Sequence, residues 1–290
     1  MPKRVQLLLL YPQNSFCHVV PAEQQQTLHD GELCVPGAWE DMERVAGLIE
    51  RLGKTLYDIH VALESRHWLH ISHPIWFHDK FGKQPEPFTV MRLQSGSIVG
   101  SREDREGVTC DVGEYKTSCP YLTKRTVEYL RRLEERGRYV HRIWPTHCIT
   151  GTPGHCIVRP LMESLRGWCQ DNLVPTNFHT TGGNIFTEYH SALQAAVPDP
   201  DDRATELYYP LAEMLKQFDE ILLAGEPACR LANTVIDLAN EMGDEAFVTR
   251  SVLLTDGTSP MPGFEVQHER FVETMAARGM RTATCAEYCA

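Results

Sequence analysis

The chain has 290 residues, of which 42% are hydrophobic, 9% aromatic and 23% charged, proportions that fit a folded protein with a substantial core and exclude a disordered tail. Acidic residues outnumber basic ones, 39 to 28, for a formal charge of −11, and no window gathers Lys and Arg into a patch that would follow a phosphate backbone. Nucleic acid is therefore not an expected partner.

The opening segment, MPKRVQLLLLYPQ, joins a basic start to a short apolar run that stops at Tyr11-Pro12 and lacks the small-residue pattern of a signal-peptide cleavage site. It reads as a buried strand over 5–10. No apolar stretch reaches the length needed to cross a bilayer, so membrane insertion is not expected. The ten cysteines are scattered, with no CxxC pair, and are expected to be reduced thiols in the cytoplasm or another reducing compartment.

Continuous apolar runs at 56–63, 140–144, 220–225 and 248–254 read as further strands covered on both faces. Between the runs, amphipathic helical spacing covers Ala38 to Leu52, Thr126 to Glu135, Pro160 to Trp168, Glu206 to Phe218, Leu231 to Met242 and Glu269 to Ala277. This alternation predicts an α/β protein: one doubly wound, mostly parallel sheet with helices on both faces, in a single domain over 1–290.

Two stretches interrupt the pattern. The first, at about 64–125, holds ESRHWLHISHPIWF, a Pro-rich PEPF and a polar span from Ser95 to Gly113, and is expected to be a long loop insertion whose 78–125 part meets a partner. The second, 175–202, holds TTGG and VPDPDD. In an open α/β sheet ligands sit beyond the carboxyl ends of the strands, so the informative residues are Tyr11, 64–73, 144–154, 181–184 and 225–230.

In chain order, the segments LLLLYPQNSFC, DGELCVPGAWEDMER, LESRHWLHISHPIWF, GRYVHRIWPTHCITGTPGH, TTGGNIFTEYHSAL, LLAGEPACRLANTV and LLTDGTSPMPGFE resemble the nicotinamidase branch of the isochorismatase-like cysteine hydrolases over nearly the whole chain. The resemblance implies that family's fold. It also implies an amide-hydrolysing site, in which a thiolate at a helix N-terminus attacks, a carboxylate moves protons and a lysine arranges charge. An Asp and two His hold a metal beside these groups in the family.

At the matching positions this chain departs from the pattern. Tyr11 stands where the family has the acid/base Asp, and a phenol is a poor proton acceptor at neutral pH. Thr181 replaces the lysine. GEPACRLANT is one residue short, which places Arg230 at the nucleophile position and leaves Cys229 just before it as the only candidate nucleophile. Glu64 and Arg66 stand where the metal segment has Asp-x-His, and Arg66 would set a permanent cation beside any divalent ion. The expected cofactor is none. The weaker reading is a divalent metal on Glu64, His70 (or the neighbouring His67 and His73) and His147.

The pattern of loss implies a catalytically inactive relative kept for a structural or binding role, as a subunit of a larger assembly, with protein partners or self-association expected. Its pocket is expected to gather Tyr11, Glu64, Arg66, His70, His147, Thr181, Glu226, Cys229 and Arg230, with Arg230 answered by Glu64 or Glu226 as an internal ion pair. One rival is an active cysteine amidohydrolase in which Cys229 works with His147 or His179. Another is a sensor that holds an acidic or pyridine-like ligand on Arg230.

Overall fold

A computed structural model describes residues 3–19, 30–103, 108–241 and 245–289. The first apolar run forms β1 (Val5–Leu10), with all six residues buried, and a short helix α1 (Asn14–Cys17) follows it. Helix α2 (Ala38–Leu52) then carries the chain to β2 (Leu56–Glu64). Its apolar stripe of Met42, Val45, Ala46 and Ile49 is buried and its opposite face is charged, so its amphipathic spacing seats it on the sheet.

Six strands build an all-parallel sheet: β1, β2, β8 (Asn177–Thr181), β9 (Glu220–Gly225), β10 (Ser251–Leu254) and β11 (Arg281–Ala283). Their spatial order is β11-β10-β9-β1-β2-β8. Connections run one way from β1 to β2 and β8 and the other way from β9 to β10 and β11. Right-handed crossovers therefore put helices on both faces, and the order reverses between β1 and β9. Helices α2 and α4 (Arg159–Asn172) serve one half. Helices α6 (Ala228–Glu241), α7 (Glu245–Arg250) and α8 (Glu265–Ala277) serve the other, and α5 (Tyr209–Leu215) leads into β9. At the reversal the two central strands approach so closely that a Cβ on Gly225, whose φ is +127°, would lie 2.1 Å from the Leu10 carbonyl oxygen. Only glycine fits there.

The sequence reading needs four corrections. The 64–125 segment is not a bare loop: it carries β3 (Phe77–His78), β4 (Val90–Gln94), β5 (Ser97–Glu103) and β6 (Thr109–Thr117), joined antiparallel. Its two longer strands, β5 and β6, are mostly polar and the others are short, so no apolar run announced them. The 140–144 run supplies β7 (His141–Arg142), which pairs antiparallel with β4 in this second sheet and does not join the parallel one. Val140 is 44% exposed while His141 and Ile143 are buried, the alternation of a half-covered strand. The 248–254 run divides: Val248 to Arg250 end helix α7, where Arg250 donates to the carbonyls of Ala246 and Phe218, and only 251–254 is strand. The edge strands β8 and β11 gave no apolar run because NFHTT and RTA are short and mostly polar, with His179 and Thr181 on the buried face of β8. Met242, the expected last residue of its helix, lies outside the described residues.

The second sheet packs on helix α3 (Pro120–Arg136) through its own apolar cluster, which includes Trp76, Met91, Leu130 and Ile143. Among the described residues no helix is long and apolar enough to cross a membrane. All ten cysteines are free thiols.

Candidate functional site

The strand ends around the β1/β9 reversal meet in a knot of buried charge. Glu64 closes β2, and its position is fixed by Gln13, whose amide oxygen accepts from the Glu64 N–H at 2.7 Å while its amide nitrogen donates to the Glu64 carbonyl at 2.8 Å. The Glu64 carboxylate has no solvent access. Its Oε1 accepts from Arg66 Nε at 2.8 Å, from Arg66 Nη2 and from Arg230 Nη1 at 2.9 Å, and its Oε2 lies 3.2 Å from His147 Nε2.

A second carboxylate faces it. Glu188 accepts from both terminal nitrogens of Arg66, that from Nη1 at 3.1 Å, and its Oε1 lies 3.6 Å from Arg230 Nη2. Arg66 Nη1 also donates to Ser72 Oγ at 2.6 Å and to His70 Nδ1 at 3.0 Å, and Arg230 Nη1 donates to the Tyr189 carbonyl at 2.5 Å. The result is two guanidinium groups and two carboxylates with no net charge, all buried. Planar, multidentate guanidinium contacts are the arrangement that offsets the large desolvation cost of such groups. Burial alone would raise the Glu64 carboxyl, but Arg230, Arg66 and His147 hold it far below the usual carboxylate range; for Glu188, Arg66 and Arg230 do the same.

The remaining site residues surround this network. Tyr11 adopts φ +51°, a left-handed conformation that a non-glycine residue keeps only when its surroundings hold it. Its N–H donates to the Ala62 carbonyl at 2.9 Å, its hydroxyl lies 3.3 Å from Thr181 Oγ1, and Arg230 sits 5.7 Å from its ring centroid. Burial pushes the Tyr11 phenol well up. His147 donates from Nδ1 to the Pro145 carbonyl at 2.7 Å, and burial together with Arg66 lowers its pKa. Burial and Arg66 also hold His73 at about 3 and His70 well below its usual value.

Two expected members stand elsewhere. The Glu226 carboxylate accepts from the Ser259 N–H at 2.9 Å, and burial together with Asp41 raises its pKa far above the usual range, so Glu64 and Glu188 answer Arg230. His179 is engaged at 3.1 Å with His60 on the β2/β8 pair. Cys229 lies in the first turn of α6 and lines a cavity with His190 and Trp144, and burial raises its thiol pKa. Glu188 is the member that sequence reasoning missed. Its signal was a charge count: two buried arginines, Arg66 and Arg230, cannot be answered by Glu64 alone.

This architecture has known counterparts among solved structures. The yeast nicotinamidase bound to the inhibitor nicotinaldehyde superimposes with a TM-score of 0.59 at 18% identity, covering 97% of this chain and 99% of that one. The chain has the nicotinamidase fold. A nicotinamidase/pyrazinamidase from Acinetobacter baumanii gives 0.58 at 17% identity over 99% of this chain and 98% of its own. The pyrazinamidase of Pyrococcus horikoshii in complex with zinc gives 0.52 at 16% identity over 97% and 99%. No family model and no curated protein sequence matches the chain. At these identities the likeness is one of fold. Among the described residues of this chain, no three His, Cys, Asp or Glu side chains are grouped to hold a metal ion.

The buried imidazoles make stability depend on pH. Burial lowers His141, His179 and His190 to about 4 each, below the usual histidine value of about 6.5. Between those values the unfolded chain binds protons that the folded chain does not, so stability falls as pH drops from about 6.5 towards 4, by up to about 1.4 kcal/mol per pH unit for each histidine. Urea unfolding followed at pH 7.5, 6.0 and 5.0 should show the midpoint falling steadily. A midpoint that stays level, or rises on acidification, would contradict the buried neutral assignment.

Proposed function

We propose that the chain is a catalytically inactive nicotinamidase/isochorismatase-like protein, kept for a structural or binding role, with protein partners or self-association, as a subunit of a larger assembly. The supporting observation is that Arg230 and Arg66 fill the position of the chemistry and are fully answered there by Glu64 and Glu188. Amide hydrolysis by this type of site needs a thiolate, a proton acceptor and a charge that favours the thiolate. Here burial keeps the Cys229 thiol protonated, the Tyr11 phenol is held protonated, and Thr181 carries no charge. His147 and His179, the imagined partners of Cys229, are turned to the Pro145 carbonyl and to His60. Arg230 already serves two carboxylates and a carbonyl, which argues against its receiving an acidic ligand itself.

The same geometry bears on the metal that the fold suggests. Glu64 Oε2, His70 Nε2 and His147 Nε2 have no hydrogen-bond partner, but the Arg66 guanidinium donates to Glu64 Oε1 and His70 Nδ1 and so sets a fixed cation beside them, and no three such side chains among the described residues are grouped to hold an ion. A divalent cation would have to displace or sit against that fixed positive charge. The donor set of Glu64, His70 and His147 does not fit a metal, and no step is assigned to one.

Two measurements test this reading. Incubated with nicotinamide and a panel of small amides, the protein should release ammonia no faster than its Cys229→Ser variant. Turnover well above background that is lost in Cys229→Ser would promote the cysteine amidohydrolase, which draws its support from the cavity Cys229 shares with His190. Elemental analysis of purified protein should find zinc, iron and manganese each far below one equivalent. One equivalent of metal that disappears in His147→Ala would overturn the assignment of Arg66 as the resident cation.

A further inference from the structure

Beside the ion network lies a second pair of reactive groups. Ser65 follows Glu64 directly, and its N–H donates to the Thr181 carbonyl at 2.8 Å, so the pairing of β2 with β8 continues one residue past the end of β2. Successive side chains of an extended strand point to opposite sides, and the partners agree: the Glu64 carboxylate turns to Arg66 and Arg230, whereas Ser65 Oγ lies 2.8 Å from His155 Nε2. Unlike Arg66 and Glu188, Ser65 and His155 both keep partial solvent access.

The pair is held from the backbone. Arg66 donates its N–H to the Cys148 carbonyl at 3.0 Å, and its own carbonyl accepts from Thr150 at 3.1 Å, which pins the chain just after the serine. His155 ends a 3-10 turn, Pro153–His155, and donates its N–H to the Thr152 carbonyl at 3.2 Å. The buried Gln13 side chain spans the two segments: its amide nitrogen donates to the Glu64 carbonyl at 2.8 Å and to the His155 carbonyl at 2.9 Å. One side chain thus sets the separation between the backbone that carries the hydroxyl and the backbone that carries the imidazole. Gly182 and Gly183 pass beside Ser65 and bring no side chain to it; a Cβ on Gly182 would lie 3.5 Å from the Ser65 carbonyl oxygen.

A hydroxyl within hydrogen-bond reach of an imidazole nitrogen is the arrangement that makes a serine nucleophilic, provided the imidazole is neutral and can take the proton. Burial is the one influence on the His155 pKa and lowers it, so the ring is neutral at pH 7 and no charged group faces it. Without a carboxylate on the other ring nitrogen the pair is a dyad, and impairing the acid of a triad costs about ten-thousandfold in rate. Its acyl donors are therefore activated esters, whose leaving groups depart readily.

We propose that Ser65 and His155 form a nucleophilic dyad that takes an acyl group from an activated ester. His155 Nε2 accepts the Ser65 hydroxyl proton as Oγ bonds to the acyl carbon; the bond from that carbon to the leaving oxygen breaks, and the proton passes from His155 to the departing alcohol. Water then repeats the sequence on acyl-Ser65, releasing a carboxylic acid and restoring the hydroxyl. The inactive reading concerns amide hydrolysis at Cys229 and Arg230, which this pair does not touch.

A fluorophosphonate probe tests the dyad, with phosphorus standing in for the acyl carbon and fluoride for the leaving group. The full chain and its Ser65→Ala and His155→Gln variants are incubated with the probe, and adducts are mapped by fragment mass spectrometry. One adduct, on Ser65, should form in the parent chain and be lost in Ser65→Ala. His155→Gln should slow labelling at least about a hundredfold, the contribution of a positioned general base, with thermal unfolding unchanged. The labelling rate should be level above about pH 7 and fall below about pH 6, as the imidazole takes up a proton. If His155→Gln does not fold, the pH profile decides. No adduct under conditions that label a serine hydrolase, an adduct on another residue alone, equal rates in the parent and His155→Gln, or a rate that does not fall on acidification would overturn the proposal.

Discussion

Two guanidinium groups without water must have two carboxylates within reach, and that requirement organises the centre of this protein. Arg66 and Arg230 come from the loop after β2 and the first turn of α6; Glu64 and Glu188 come from the end of β2 and the loop after β8. Removing any one partner would strand a buried charge. The network also holds its surroundings. Ser72 and His70 are oriented by Arg66, and Arg230 is stacked over Tyr11 and tied to the Tyr189 carbonyl.

The fold supplies the convergence and the side chains supply the outcome. Six parallel strands that reverse order between β1 and β9 bring sequence-distant residues to one crevice whatever those residues are. A crevice of this kind runs acid/base chemistry when its titratable groups have different pKa values and one faces a reacting atom. Here the ionised groups are paired with one another, and the His70 imidazole and the Cys229 thiol are held neutral by burial. The two guanidinium groups and the two carboxylates answer one another's charge.

Much of this is legible in the sequence. The VQLLLL, LYDIHVALE and EILLAG runs are mostly buried and read as central strands because their apolar residues are nearly continuous, although Gln6, His60, Glu64 and Glu220 are buried among them. NFHTT and RTA are short and mostly polar, so they passed unnoticed, and the antiparallel sheet within 64–125 carried too little apolar character to be seen. At the site, the pairing of Arg230 with Glu64 follows from a cation that must be answered. The choice of Glu188 over Glu226 does not, since both flank strand ends. Asp41 and Ser259, distant in sequence, claim Glu226. The cavity walls were invisible for the same reason: Tyr139, Trp144, His190 and Cys229 meet only through the tertiary fold.

The claim on which this picture turns is that Glu64 and Arg230 stabilise each other as buried ions. A double-mutant cycle with Glu64→Gln, Arg230→Met and the double variant, read by urea unfolding at pH 7.5, measures that directly. Each single change should destabilise by about 3–5 kcal/mol, and the double should fall short of the sum by at least about 1.5 kcal/mol, because neither charge then remains to be stranded by loss of the other. Strict additivity, or single variants as stable as the parent chain, would show that the two residues do not hold each other and would contradict the account.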